Sequence, residues 1–451
     1  MRIRTHVRPL VILLFLIGVL VLTSWVAPPA APAAALGQRE VLPNGMVLLF
    51  SEKRGVPIVT VSMLIPAGSV LDPPDKPGLA NLVATLMTQG TKTRTAPQIT
   101  EAIEFLGASL SVEAGLETTT VSLSVLSKDL DTGLELMADV LLNPVFTPAE
   151  IQRKIQEVVA GIRRNQEDPG TVSAQLFMAL VYGAHPFAHP VEGTETSVPT
   201  ITRDDLVRFH ADNFRPNKAI LAVVGDVTLA DLKQKLSARL GSWQAGGPAV
   251  TPPRPPVPLS QRVVKTIQRE VTQANITFGH LGVTRDNPDY YAIQVMNYLL
   301  GGGFSSYLIS TIREEKGWAY DVGSYFAPGK IAGEFTVSMQ TKNEVADQAI
   351  DAALAEIRRI RDTPVKADDL KDAQAYLTGS FPLRLDTSSK IAGMLASIEF
   401  YGLGLDYVDR YPSLVNAVTV ADVERVARKY LDPEKYALAV VADLTKAKIK
   451  P

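Results

Sequence analysis

Residues 198–226, VPTITRDDLVRFHADNFRPNKAILAVVGD, and residues 415–443, VNAVTVADVERVARKYLDPEKYALAVVAD, align without a gap at a constant offset of 217. The offset pairs Thr202 with Thr419, Asp205 with Asp422, Pro216 with Pro433 and Asp226 with Asp443. In each copy a threonine stands where a helix would begin, with a carboxylate three residues on. That is a capping box with Asp in place of Glu. A Pro turn follows each helix, and then a short apolar run of strand type, AILAVVG or YALAVVA. A repeated order of cap, helix, turn and strand requires two α/β domains of one kind.

The break between the copies is residues 245–260, AGGPAVTPPRPPVPLS, whose prolines preclude helix and central strand and favour an extended connector. It divides residues 37–244 from 261–451. With 46% hydrophobic residues, the 451-residue chain exceeds what one core normally holds, which agrees with two domains. In the first half VLLFSE, VTVSMLIPAG, LSVEAG and TTTVSLSVLS read as strands, and 79–89, 98–106, 129–142 and 148–165 as helices. In the second, ANITFGHL and EFTVSMQ read as strands, with helices near 289–299, 344–361 and 366–377. The expected class is α+β, with helices layered over one face of each sheet. No βαβ unit opens with a Gly-rich phosphate loop, so Rossmann and P-loop folds are poor fits.

The N-terminus carries an address. Arg2, Arg4 and Arg8 flank LVILLFLIGVLVLTSWV, residues 10–26, and small residues follow at Ala31-Pro32-Ala33 and Ala33-Ala34-Ala35. This is the pattern of a secretory signal peptide over residues 1–36. An uncleaved membrane anchor is the rival, since an apolar helix of that length spans about 25 Å. Either way the rest of the chain is expected to be exported, to the periplasm if the cell has two membranes. There are no cysteines, which excludes disulfides, thiolate nucleophiles, Cys-ligated metals and a lipoprotein anchor. A net charge of −2 without a basic run gives no reason to expect a nucleic-acid partner.

Candidate chemistry is sparse. No G-x-S-x-G elbow or Ser–His–Asp arrangement stands out. Of the five histidines, His185 and His189 are four apart, but each precedes a proline, which disfavours the helical geometry that makes such pairs converge. A loop with packed rings is the expectation there. His210 falls in a helix, and His280 follows a strand with no carboxylate or histidine near it in sequence. The stretch 78–91, GLANLVATLMTQGT, is an amphipathic helix with an apolar face of Leu79, Leu82, Val83 and Leu86 and no reactive group. In GGGFSSYLISTIREEKGWAY, residues 301–320, Gly301, Gly302 and Gly303 precede a helix expected over 305–315, which Gly317 ends. The glycines would expose backbone groups and admit another chain. Arg313 and Tyr320 could supply a bidentate cationic donor and a phenolic donor to an oxyanion, although Arg313 also suits a helix C-terminus on structural grounds alone.

Residues 38–445 resemble the M16 peptidase family, the pitrilysin, insulinase and mitochondrial-processing-peptidase group. The likeness runs through LPNGMVLLFSE, VSMLIPAGSVLDPPDKPGLANLVATLMTQGT, YGAHPFAHPVEGT, NKAILAVVGDV and GGGFSSYLISTIREEKGWAY. It implies two homologous M16-type domains, each an antiparallel-rich sheet covered by helices. Catalytic members carry H-x-x-E-H on the helix that follows the first sheet hairpin, two zinc ligands flanking a general base. Gly78-Leu79-Ala80 fix the register, so the three positions fall on Asn81, Ala84 and Thr85; the third-ligand glutamate falls on Gly161, in Val159-Ala160-Gly161-Ile162. All four groups are missing, and Glu157 lies one helical turn too early.

The resemblance further implies that Arg313 and Tyr320 match an Arg and Tyr, seven residues apart, that reach across to substrate at a zinc site. It implies that Gly301–Gly303 match a substrate-contacting glycine-rich loop. In two-chain members the zinc motif lies in one polypeptide and this pair in the other. The expectation is therefore a zinc-free subunit, binding no cofactor itself, whose partner has an intact H-x-x-E-H and the zinc. Its substrate would be an unfolded peptide able to enter a closed cavity and pair with a sheet edge. A scaffold or peptide-binding protein with no part in hydrolysis is the alternative.

Overall fold

The computed structural model describes residues 36–246 and 254–450. The N-terminal apolar segment and residues 247–253 of the Pro-rich connector lie outside the described residues. Residues 36–451 form one compact unit. Among the described residues no helix is long and apolar enough to cross a membrane.

Two sheets organise the unit. The first contains β1 (Gln38–Val41), β2 (Val47–Glu52), β3 (Ile58–Ile65), β4 (Ser109–Ala114), β5 (Thr119–Leu126) and β6 (Ile220–Gly225), in the order β1-β2-β6-β3-β5-β4. The second contains β7 (Val263–Gln268), β8 (Gln273–Leu281), β9 (Ala319–Phe326), β10 (Glu334–Lys342) and β11 (Ala437–Ala442), in the order β7-β11-β8-β10-β9. Removing β1 makes the two orders identical, with β6 equivalent to β11 and β4 to β9. In both sheets one pair is parallel, β2 with β6 and β7 with β11, and the other ladders are antiparallel. The repeat seen in sequence is a repeat of topology.

The repeated caps form as the sequence requires. Thr202 and Asp205 close a capping box on helix Arg203–Asn213, and Thr419 and Asp422 close its twin on helix Val420–Tyr430. Each hydroxyl accepts the third-residue amide while each carboxylate accepts the threonine N–H at 2.9–3.0 Å.

Helices cover both faces of each sheet, not one. Leu221 and Val223 of β6 face the core made by the first half's own helices, whereas Ile220, Ala222 and Val224 pack on Ile391, Leu395 and Phe400 of helix Ser388–Tyr401, from the second half. Reciprocally, Leu438 and Val440 of β11 face their own half. Ala437 and Ala439 pack with Phe177 and Val181 of helix Pro169–Tyr182, from the first half. Each half lends one helix to the other's sheet. That exchange explains why AILAVVG and YALAVVA are apolar throughout instead of alternating: every residue of β6 and β11 is buried.

Polar contacts lock the exchange. Ser173 Oγ lies 2.9 Å from Thr277 Oγ1, Tyr182 donates its hydroxyl to Glu334 at 2.9 Å, and Arg39 grips Glu399 with two 2.8 Å bonds. The Glu117 carboxylate accepts the backbone N–H groups of Lys330 and Ile331 at 3.0 and 2.8 Å.

Candidate functional site

Helix Leu79–Met87 is entered through Gly78 in the left-handed region (φ 97°). A Cβ there would sit 2.7 Å from the Glu192 carbonyl oxygen, so the residue must be glycine for both reasons. The buried Asp72 carboxylate accepts the amides of Gly78 and Ala80, both at 2.8 Å, and so caps the helix from outside it. Burial pushes the Asp72 carboxyl up to about 7 against the pull of those amides.

The apolar face expected from sequence is buried, and Ala80, Ala84 and Met87 are buried with it. Asn81 and Thr85 are half-buried one turn apart. Thr85 Oγ1 donates back to the Asn81 carbonyl at 2.9 Å, spending its proton on the helix itself. Gly161 lies on helix Pro148–Glu167, which packs against the 79–87 helix, and a Cβ on it would meet nothing within 4 Å. Glu157, one turn away, is bound by Lys154 at 2.9 Å and by Arg153 at 3.1 Å. The Lys154 hydrogen bond, foremost, holds it below the usual carboxylate range. An amide, a methyl, a hydroxyl bonded to its own backbone and a bare glycine do not make a zinc ligand set. Among the described residues no group of three or more His, Asp or Glu side chains is placed to hold a metal ion.

The glycine run differs from the open turn expected of it. Helix Tyr290–Asn297 continues through a π-helical turn, Tyr298–Gly302, so Gly301 and Gly302 end a helix and do not start one. Gly301 and Gly303 are buried, and only Gly302 is exposed. A Cβ on Gly301 would stand 2.5 Å from Ser324 Oγ and 2.6 Å from Ser324 N, against β9. On Gly303 it would stand 2.7 Å from the Tyr298 ring. These two glycines serve close packing, and the exposed backbone the sequence promised reduces to Gly302.

The next helix begins at Tyr307, later than expected, and is π-wound over Ile309–Glu315. Gly317 (φ 61°) then reverses the chain into β9. Asp321 pairs with Gln340 but Ala319 pairs with Thr341, so Tyr320 is the extra residue of a β-bulge, turned out to 76% exposure. The reversal brings Arg313 and Tyr320 together, with the guanidinium carbon 5.7 Å from the phenol ring centre. A second ring, Phe304, lies 5.9 Å from the same carbon and is also 76% exposed. Among the described residues Arg313 has no carboxylate partner, and Glu314 instead lies 3.3 Å from Ser310 Oγ. The site therefore presents a partly buried, unneutralised guanidinium beside two exposed aromatic rings. Sequence reasoning found two of its members and missed Phe304, whose signal was an aromatic residue set directly after a glycine run.

Among the described residues, His185, His210 and His280 pack and bond within the fold. His185 Nδ1 accepts the Phe187 amide at 3.1 Å within a loop, and its ring packs edge-on against Phe187. Burial lowers the basicity of both His185 and His189. His210 Nε2 lies 2.9 Å from the Leu141 carbonyl and its ring stacks on Phe214. His280 Nε2 accepts the Asp432 amide at 3.1 Å, and burial again lowers the ring's basicity.

Most of the chain is similar to known proteins. Residues 47–195 match the family model for insulinase (peptidase family M16), and residues 200–377 match the model for the peptidase M16 inactive domain. An uncharacterized zinc protease of Mycobacterium tuberculosis (strain ATCC 25618 / H37Rv) is 28% identical over 92% of this chain and 95% of its own length. The non-peptidase homolog YmxG of Helicobacter pylori is 23% identical over 92% and 96%. A solved peptidase M16 inactive domain from Pseudomonas fluorescens superposes with a TM-score of 0.85 at 28% identity, covering 92% of this chain and all of that one.

Proposed function

The chain belongs to peptidase family M16, and from that premise we propose that it is the zinc-free subunit of a two-chain metallopeptidase. In this reading the partner carries an intact H-x-x-E-H and its zinc. This chain closes the chamber and donates two groups to the scissile peptide. Arg313 offers its N–H fork and Tyr320 its hydroxyl to the oxygen on which charge develops. Gly302 offers exposed backbone at the rim, beside the edge strand β9. The substrate is an unfolded peptide. The N-terminal sequence supports an exported chain, in the periplasm, either free or tethered through residues 10–26.

One observation carries the reading. Arg313 and Tyr320 converge at the surface, and among the described residues no carboxylate is paired with Arg313. Arg359, by contrast, is held in an ion pair with Glu356. A second reading, a scaffold or peptide-binding protein without a part in hydrolysis, is favoured by the fully buried Ala84 and by the name of the Helicobacter relative.

Reconstitution separates the two. The purified chain alone is expected to hold no stoichiometric zinc and to cleave no unfolded peptide. Mixed with a co-purifying M16 chain bearing H-x-x-E-H, it should produce activity that Arg313→Ala and Tyr320→Phe each reduce. Full turnover in both variants would leave the scaffold reading standing.

A further inference from the structure

Phe304 is an exposed aromatic side chain beside the Arg313–Tyr320 pair that the resemblance does not assign. Its place is not loose. Tyr376 and Tyr298 stack with ring centres 4.9 Å apart, Gly303 lies flat on Tyr298, and the Ser306 amide closes a turn on the Gly303 carbonyl at 3.1 Å. Phe304 therefore projects from a braced turn, with three-quarters of its surface in solvent. The partner it finds within its own chain is the Arg313 guanidinium, 5.9 Å from the ring centre.

The manner of that contact matters. A carboxylate would hold Arg313 in place by consuming its N–H donors. An aromatic face attracts a guanidinium through the ring quadrupole and leaves the in-plane N–H groups unspent. Phe304 and Tyr320 both lie inside cation–π range of Arg313, and neither contact consumes an N–H donor of its fork. We infer that Phe304 is a positioning residue, holding the Arg313 guanidinium with its donors free for a carbonyl or carboxylate oxygen of a bound peptide. The catalytic consequence rests on the function proposed above; the geometric one does not.

The test has two arms on the full-length chain. In the first, arginine-labelled protein without any partner is observed by NMR, the Arg313 signals being assigned through Arg313→Lys. The side-chain protons of Arg313 should show ring-current shifts that Phe304→Ala reduces and Phe304→Tyr retains, with thermal midpoints unchanged. Arg313 shifts indifferent to Phe304→Ala would overturn the proposal. In the second arm, on the reconstituted two-chain enzyme, Phe304→Ala should lower kcat by about tenfold with KM nearly constant, and Phe304→Tyr should restore it. An active complex in which Phe304→Ala turns over at the wild-type rate overturns it equally. If the wild-type complex is inactive, the proposed function fails, and the NMR arm still decides the positioning role.

Discussion

The Arg313 guanidinium carbon stands 5.7 Å from the centre of the Tyr320 ring because the chain reverses at Gly317 and Tyr320 is bulged out of β9. Seven residues separate the two in sequence, and no continuous helix joins them. The pair is made by a π-wound helix end, a left-handed glycine and a bulge acting together, each a local departure from regular structure that needs surrounding contacts to persist.

If the guanidinium acts through its planar fork, lysine cannot replace it. Arg313→Lys in the reconstituted enzyme should lose turnover nearly as far as Arg313→Ala, by about 100-fold, as for removal of one oxyanion donor. Steady-state kinetics at saturating peptide reads this. A lysine variant within threefold of wild type would mean that charge alone suffices.

The glycine run predicts an unequal alanine series. Gly301→Ala and Gly303→Ala drive a methyl into β9 and into the Tyr298 ring, and each should cost about 1–3 kcal/mol in urea unfolding. Gly302→Ala meets first the Asn297 side-chain amide, which is hydrogen-bonded to Ser324, and should cost less than either neighbour, about 1 kcal/mol. Equal losses at all three would contradict the packing role.

The degenerate helix should resist restoration. Ala84 is fully buried in the first half's core, so Ala84→Glu forces a carboxylate into an apolar site. A loss of about 3 kcal/mol or more is expected, visible as a lowered thermal midpoint. A neutral outcome would mean that the helix face is open to solvent.

The twin capping boxes should be equivalent. Thr202→Ala and Thr419→Ala should each cost about 1 kcal/mol, and the double variant about the sum, because the two boxes cap different helices in different halves. A double variant no worse than either single one would show that the boxes are coupled.

Asp72 gives stability a pH dependence of stated sign. Its ordinary value is 3.8 and burial raises it to about 7 in the folded chain. Between those values the folded chain holds a proton that the unfolded chain has released, so this group's contribution falls as pH rises from about 4 to about 7. Urea midpoints across that window should show the fall, and Asp72→Asn should flatten it. A stability that climbs with pH across that window, and that Asp72→Asn flattens, would mean that the backbone amides outweigh burial.

Several features were legible in the residues alone. The 217-residue offset announced the duplicated topology, and Thr202/Asp205 and Thr419/Asp422 marked helix starts that the structure keeps. The missing zinc ligands were what the resemblance to the M16 family implied, once Gly78 set the register. The exchanged helices Pro169–Tyr182 and Ser388–Tyr401 were not legible, because amphipathic periodicity reports that a face is buried and not against which sheet. The unbroken apolar runs of β6 and β11 held the clue, since a strand with one solvated face alternates.

Sequence by itself determined what is local or repeated: caps, turns, strand type, the duplication, and the chemistry absent at Asn81, Ala84, Thr85 and Gly161. These depend on each residue's own propensity and on its nearest neighbours along the chain. Only the tertiary structure decided that Gly301 and Gly303 are packing residues, that Tyr320 is a bulge, and that Phe304 joins Arg313. Each of those depends on atoms brought together by strand pairing and helix docking, whose free energy is set across the whole fold and leaves no periodic trace in the chain.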